Sequence, residues 1–300
     1  MNKMSKVGFI GLGIMGSPMA KQMISKGTEL LVFDISEKAV SELVSAGATA
    51  SSLAEIGQEC DFIFTILPNG SIVKSTLFGE GGVAKHIKPG TVVVDMSSVT
   101  PVDSKYCYDE LRELGASFLD APVSGGEPKA IDGTLSFMVG GDEEAFTKTL
   151  PLFYQMGSSA VLVGESGSGS TTKLANQIIV NLNIAALGEA LVFAMKAGVD
   201  PEKVFMAIRG GLAGSAVMEA KAPMIMNRNF KPGGKLSINH KDIKNVVDTA
   251  HELSIPVPMS AQLFEVMQGL KVRGLMDDDH GALVKHFELL AGVEVQKGEK

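Results

Sequence analysis

Apolar residues fall in short, nearly continuous runs over the first half of the chain: Val7–Ile10, Leu30–Phe33, Phe62–Leu67, Val92–Met96, Phe118–Asp120, Leu135–Val139 and Val161–Val163. Runs of this kind, rich in Val, Ile and Phe, suit strands of a parallel sheet covered on both faces. Between them the spacing predicts helices over 17–26, 36–46, 52–58, 71–77, 102–114 and 142–156, with Ser36 as a cap ahead of Glu37 and Lys38. Such alternation predicts a doubly wound α/β domain. Beyond residue 164 the pattern changes. Gly164-Glu-Ser-Gly-Ser-Gly-Ser170 reads as a hinge, and no strand pattern follows it. Thr171–Ala197 reads as one long helix, apolar on most sides, followed by helices near 201–209, 214–227, 240–254, 259–273 and 279–291. The predicted architecture is an α/β domain over 1–165 joined through the long helix to an all-α domain over 166–300.

Composition narrows the possibilities. The chain has 300 residues, 45% apolar and 20% charged, which excludes a disordered or fibrous protein and gives room for two cores. A net charge of −7 without a block of Lys or Arg argues against nucleic acid as a partner. Two cysteines, Cys60 and Cys107, make no disulfide framework, and no Cys-x-x-Cys suggests a metal; a reducing, cytoplasmic compartment is expected. The most apolar segment, Ile178–Met195, is interrupted by Asn181, Asn183 and Glu189. It is expected to be a buried helix, not a membrane span, which would need about 20 apolar residues. Lys3 and Lys6, an apolar stretch and Ser17-Pro-Met-Ala20 imitate a signal peptide, but Gly8, Gly11, Gly13 and Gly16 interrupt its helix. The tail Gln296–Lys300 is expected to fray.

Chemistry enters with those glycines. Gly11-Leu12-Gly13-Ile14-Met15-Gly16 follows a strand and opens a helix, the arrangement of a Rossmann-type dinucleotide site. The first glycine serves the turn, the second the approach of pyrophosphate, and the third close packing of helix on strand. Asp34 ends the next strand, where a carboxylate accepts from the ribose hydroxyls and repels a 2′-phosphate; a helix-capping Asp is the lesser alternative. NAD is therefore expected, with NADP possible because Lys38 lies nearby. Leu67-Pro68-Asn69 and Asp95-Met-Ser97-Ser98 end two further strands, at ligand crevice or ordinary turns. Asp120-Ala-Pro-Val-Ser124-Gly125-Gly126 pairs a hydroxyl with glycine amides, which suits a small carboxylate but also a plain tight turn. Lys173 lies near the start of the long helix with Asn176 and Gln177 on the same face. A shielded lysine at a positive helix end can be tuned to give a proton near neutral pH; a solvated helix-start lysine is the alternative. Asp277-Asp278-Asp279-His280 reads as an acidic helix start, not a metal site.

Together these residues resemble the β-hydroxyacid dehydrogenase family. The likeness rests on Val7–Gly16, Asp120–Gly126, Gly167-Ser-Gly-Ser-Thr-Thr-Lys173-Leu-Ala-Asn176 and His240-Lys241-Asp242, in that order along nearly the whole chain. It implies hydride exchange between nicotinamide and a short hydroxyacid or semialdehyde. Lys173 would then be the general acid, with Ser124, Gly125 and Gly126 on the substrate carboxylate and Asn176 orienting the substrate. Leu67, Pro68, Asn69, Ser98 and Lys241 would join the glycine turn and Asp34 around the cofactor, and Asp242 would support Lys241 or Lys173. The long apolar helix suggests extra burial between domains or subunits, and a homo-oligomer, dimer or tetramer, is expected. Gly126–Leu135, Arg209–Ser215, Asn227–Gly233 and Asp278–His280 resemble the subgroup that reduces tartronate semialdehyde to glycerate. Gly234–Asn239 departs from that pattern, where a more aromatic, Arg-containing stretch is expected. Other short substrates (3-hydroxyisobutyrate, succinic semialdehyde, a sulfonated aldehyde) and a non-catalytic dinucleotide sensor are the alternatives; the presence of Lys173 argues against the sensor.

Overall fold

A computed structural model describes residues 6–297; Lys3 of the signal-like stretch and residues 298–300 of the tail lie outside the described residues. The chain divides into two compact units between Lys173 and Leu174.

The first unit runs β1 (Val7–Ile10), α1 (Gly16–Ser25), β2 (Leu30–Phe33), α2 (Glu37–Ser45), β3 (Thr49–Ala50), α3 (Leu53–Glu59), β4 (Phe62–Thr65), α4 (Gly70–Phe78), β5 (Val92–Asp95) and α5 (Pro101–Glu113). It continues through β6 (Ser117–Asp120), β7 (Val123–Ser124), α6 (Gly126–Asp132), β8 (Leu135–Gly141), α7 (Glu143–Met156) and β9 (Gly157–Gly164). Strand order is β3-β2-β1-β4-β5-β6-β8-β7, with β9 on β8. Alternation along each strand builds a core on either face. Val7, Phe9, Phe64, Val94 and Leu119 enter one core; Ile10, Ile63, Val93 and Phe118 enter the other. Cys60 and Cys107, both free thiols, are buried in the second.

The six strands from β3 to β6 are parallel, but β8 runs antiparallel to β6 and β7. The apolar run 135–139 reads alike in either direction, so the sequence pattern is silent on this reversal. Between β7 and β8 chain length accounts for it: a parallel crossover needs about a dozen residues or more, and α6 with its two flanking turns, residues 125–134, is shorter. The sequence pattern does not show β3 and β7, which have two residues each, or α6, whose Gly126 and Pro128 read as a turn.

In the second unit α8 (Ser168–Lys196), which starts in the first, is followed by α9 (Pro201–Ile208), α10 (Ala216–Met226), α11 (Leu236–Glu252), α12 (Pro258–Val272) and α13 (Val284–Ala291). By length and composition α8 could cross a membrane. Its Leu187, Leu191 and Val192 are instead buried with Phe205, Met218, Ile225 and Val284, and Ile184 with Ile243, Leu263 and Met267. Helix α11 begins at Leu236, not near 240 as the sequence suggests. Backbone carbonyls satisfy its first amides: Leu236 N–H donates to Asp278 O (2.8 Å) and Ser237 N–H to Met276 O (3.0 Å). No sequence signature announces a cap of that kind. The helix expected over 279–291 is a 3₁₀ turn, His280–Leu283, ahead of α13.

Candidate active site

Each glycine of the first turn answers a different demand. Gly11 has φ +97°, and a Cβ there would lie 2.3 Å from the Ile66 carbonyl. A Cβ on Gly16 would lie 1.9 Å from the Gly11 carbonyl, so α1 closes directly onto the turn. Gly13 has nothing within 4 Å, an opening through which a pyrophosphate can approach the backbone. Side chains of Ser36, Ser52, Asn69 and Thr100 cap α2, α3, α4 and α5, whereas none caps α1. A helix start left without a side-chain cap on an open glycine turn suits a bound phosphate. The residues fit a dinucleotide.

Asp34 ties this turn to α2: its Oδ2 accepts from Leu12 N–H (2.6 Å) and its Oδ1 from Ser36 N–H (2.8 Å). The helix cap itself is Ser36, whose Oγ accepts from Ala39 N–H. Each Asp34 oxygen keeps lone-pair capacity for a ribose hydroxyl. Below the neighbouring strand ends, buried Asp95 accepts from Thr65 Oγ1 (2.7 Å) and Ser97 Oγ (2.5 Å), and Ser97 Oγ accepts from Leu67 N–H (2.8 Å). That chain of bonds holds the Leu67-Pro68-Asn69 turn, where Asn69 Oδ1 accepts from Ile72 N–H (3.0 Å). Ser98, next in the chain, is half-buried.

Lys173 Nζ donates to Val123 O at 2.8 Å, which sets the ammonium beside Ser124, Gly125 and Gly126. Ser124 is half-buried and the two glycines are exposed. Gly125 has φ +137°, and a Cβ there would meet the Lys129 stem at 2.7 Å. The start of α8 rests on Asp120, whose Oδ1 accepts from Gly167 N–H (2.8 Å) and Oδ2 from Ser170 N–H (2.7 Å). Burial pushes the Asp120 carboxyl up to about 6, against the pull of those amides. In the sequence Asp120 shows only as an acidic residue closing an apolar strand, and that is the one signal of this role.

In the second unit Asn176 Nδ2 donates to Gln177 Oε1 (3.0 Å), and Gln177 Nε2 donates to Asp242 Oδ2 (2.6 Å). Asp242 is buried and pairs with Lys241 at 3.1 Å. Gln177 and Asn239, also joined by a hydrogen bond of 3.4 Å, extend the network.

The acidic run near the C-terminus opens a helix, as the sequence suggests: Asp279 caps the 3₁₀ turn His280–Leu283, accepting from Gly281 N–H. Asp277 pairs with Lys235 and Asp278 with Lys285. Asp279 is fully buried and accepts from Lys221 Nζ (2.8 Å), Gly281 N–H (2.8 Å) and Gly233 N–H (3.1 Å). Burial works to raise its pKa, but Lys221 and the Gly281 amide prevail and hold it low. Beside it, burial and the Lys221 charge push His280 down to about 4, Asp279 opposing.

Two family models match the chain: the NAD binding domain of 6-phosphogluconate dehydrogenase over residues 6–164, and the NAD-binding domain of NADP-dependent 3-hydroxyisobutyrate dehydrogenase over 167–287. The 2-hydroxy-3-oxopropionate reductase of Escherichia coli is 44% identical over 95% of this chain and 98% of its own length. The chain belongs to the β-hydroxyacid dehydrogenase family. Another relative in this family, the 2-(hydroxymethyl)glutarate dehydrogenase of Eubacterium barkeri, is 38% identical over the full length of both chains. A 3-hydroxyisobutyrate dehydrogenase from Mycobacterium tuberculosis superposes with a TM-score of 0.88 at 27% identity, covering 94% of this chain and 99% of its own. Membership makes the protein an NAD(P)-dependent oxidoreductase of hydroxyacids.

Proposed function

We propose that this protein reduces tartronate semialdehyde to glycerate with NADH, with Lys173 as the general acid. The observation that carries the reading is the Lys173 Nζ bond to Val123 O at 2.8 Å, which joins a proton donor to the Ser124-Gly125-Gly126 turn. Bound at the glycine turn, the nicotinamide cofactor supplies the hydride for the aldehyde carbon. Ser124 Oγ and the amides of Gly125 and Gly126 hold the substrate carboxylate by donating to its oxygens. Lys173 gives its proton to the aldehyde oxygen as that oxygen gains charge. The family resemblance assigns Asn176, on the same helix, to the substrate, and assigns Ser98, the Leu67-Pro68-Asn69 turn and Lys241, paired with Asp242, to the cofactor. Asp34 favours NAD over NADP.

The substrate follows from chemistry plus likeness to the Escherichia coli reductase. Several semialdehydes share a carboxylate and an aldehyde, so selection rests on the 2-hydroxyl. A site built to bond a hydroxyl can reject an analogue lacking it by up to roughly 10⁴-fold. The test compares tartronate with methylmalonate semialdehyde, which carries a methyl group in place of the hydroxyl, in a panel with NADH and NADPH. A higher kcat/KM for the methyl compound would move the protein to the 3-hydroxyisobutyrate dehydrogenases. Relatives named for 2-(hydroxymethyl)glutarate and 3-sulfolactaldehyde support a second reading, reduction of another short semialdehyde. We also infer a homo-oligomer in a reducing, cytoplasmic setting. Its support is the open apolar groove of about 550 Å³ that Ala190, Phe193 and Val199 help to line, and the two free cysteines.

A further inference from the structure

Helix α8 has no cap of its own. Its first closing bond, Thr171 N–H to Gly167 O (2.9 Å), makes Gly167 the capping position, and glycine has no side chain to offer. The missing acceptor comes from Asp120, 47 residues earlier to Gly167 and 50 to Ser170. A local cap ends a helix wherever that helix lies. A cap supplied by a strand fixes it in space.

Steric fit says the same. A Cβ on Gly169 would lie 2.2 Å from Asp120 O and 2.4 Å from Met138 O, and one on Gly140 would lie 2.6 Å from Asp120 Oδ1. The helix start is therefore seated on β6 and β8 with no room for a methyl group on either side. Ser104 of α5 adds a hydroxyl contact to Ser170 at 2.8 Å. Lys173 lies three residues beyond Ser170, one helical turn on, with its ammonium at Val123 O.

We propose that Asp120 is a positioning residue for the reaction: its ionised carboxylate, accepting from Gly167 and Ser170 together, seats the first turn of α8 and thereby places the Lys173 ammonium over the Ser124-Gly125-Gly126 turn. The inference rests on the role of Lys173 proposed above. The Gly167 amide faces one oxygen and the Ser170 amide the other, and the Ser170 hydroxyl and the Asp120 amide also bond the carboxylate. Protonation turns one oxygen into a donor opposite an N–H donor, and one of the bonds is lost. The Asn side chain brings the same conflict with its NH₂.

The charged groups around Asp120 are few. Asp95 occupies the paired position on β5, with Thr65 and Ser97 donating to it. Lys105 of α5 passes close to Gly167, its Cε 3.1 Å from where a Cβ would stand. Lys173 follows on α8 itself. Burial is the largest influence and pushes Asp120 up to about 6, so the ionised, helix-seating form is lost as pH falls through that value.

The experiment measures kcat and KM against pH, with NADH affinity by fluorescence, for the wild type, Asp120→Asn and Lys173→Ala, on the best semialdehyde of the panel. Wild-type kcat should fall below pH about 6. Asp120→Asn should lower kcat at neutral pH by about 10²-fold, the scale of an ångström's misplacement. Its KM should change less than about threefold, its NADH affinity should hold, and its acidic limb should vanish. Retention of kcat within about threefold, or of the acidic limb, overturns the proposal. If Lys173→Ala loses turnover while Asp120→Asn does not, this inference alone fails; if Lys173→Ala keeps full turnover, the reading beneath it fails. Should Asp120→Asn not fold, the wild-type profile decides. A level kcat down to pH about 5 refutes the proposal, and a limb near 6 with unchanged NADH binding supports it.

Discussion

Asp95 and Asp120 hold paired positions on adjacent parallel strands, and neither carboxylate reaches water. Each organises a different turn at the strand ends. Asp95 acts through Ser97 on the Leu67-Pro68-Asn69 turn, and Asp120 on the start of the helix that carries Lys173. Buried carboxylates are tolerable only when donors surround them. Asp120 has its donors on the segment it seats, whereas Asp95 takes its donors from Thr65 of β4 and from Ser97 and reaches the Leu67 turn through Ser97.

Lys173→Ala should fold and bind NADH yet lose about 10²–10⁴-fold in kcat, the contribution of a positioned general acid. Lys173→Arg should not restore it, because guanidinium is too weak an acid near neutral pH. Steady-state rates with a fluorescence measurement of NADH binding check both. Unchanged turnover in Lys173→Ala would revive the non-catalytic sensor.

Asp34→Arg should reverse the expected preference for NADH, since a guanidinium welcomes the 2′-phosphate that a carboxylate repels. It should also lose the bonds from Leu12 and Ser36 that hold the turn, so kcat/KM with NADH should drop more than NADPH gains. The ratio of kcat/KM for the two cofactors is the measurement. An unaltered ratio removes Asp34 from the ribose site.

Glycine substitutions in one turn should separate folding from binding. Gly16→Ala forces a Cβ to within 1.9 Å of a carbonyl and should lower stability by about 1–3 kcal/mol, seen as a lower Tm. Gly13→Ala meets nothing within 4 Å and should keep its Tm while weakening NADH binding by about tenfold or more. Equal NADH affinity in wild type and Gly13→Ala would place the pyrophosphate elsewhere.

His280 should make the protein acid-sensitive. Its folded pKa is pushed down to about 4 from 6.5, so the unfolded chain takes up the proton first. The stability it contributes is present above about 6.5 and is lost as pH falls towards 4. Asp120, raised in the folded chain, acts in the opposite sense between about 4 and 6. His280→Leu leaves Asp120 in place, so the difference in Tm between wild type and variant isolates the histidine. That difference should shift in the variant's favour on acidification; a constant difference from pH about 7 to 4.5 would count against it.

The legible part of this protein was whatever local patterning governs. Continuous apolar runs gave the parallel strands, and the turn after β1 carried its glycines at a spacing with a physical purpose. Lys173 and the Ser124 turn were legible as residue types, but not that one bonds the backbone beside the other, since a carbonyl at Val123 leaves no trace in the residue names. The same holds for the Asp120 cap, which joins positions 47 and 50 residues apart. Asp279 was legible as a helix start but not as a buried carboxylate, for a related reason. Its acidic neighbours suggest a solvated face, and only the fold brings Lys221 and three backbone amides onto it.

The two thiols of the first unit offer a clock. Burial pushes Cys60 up to about 12 and raises Cys107 as well, and both side chains are packed among Ile63, Val93 and Phe118. An alkylating reagent needs a thiolate in contact with solvent, so it can reach either sulfur only when that layer parts from the sheet. The labelling rate under native conditions therefore counts openings of the cofactor-binding unit. Bound NADH should slow that rate in proportion to its occupancy.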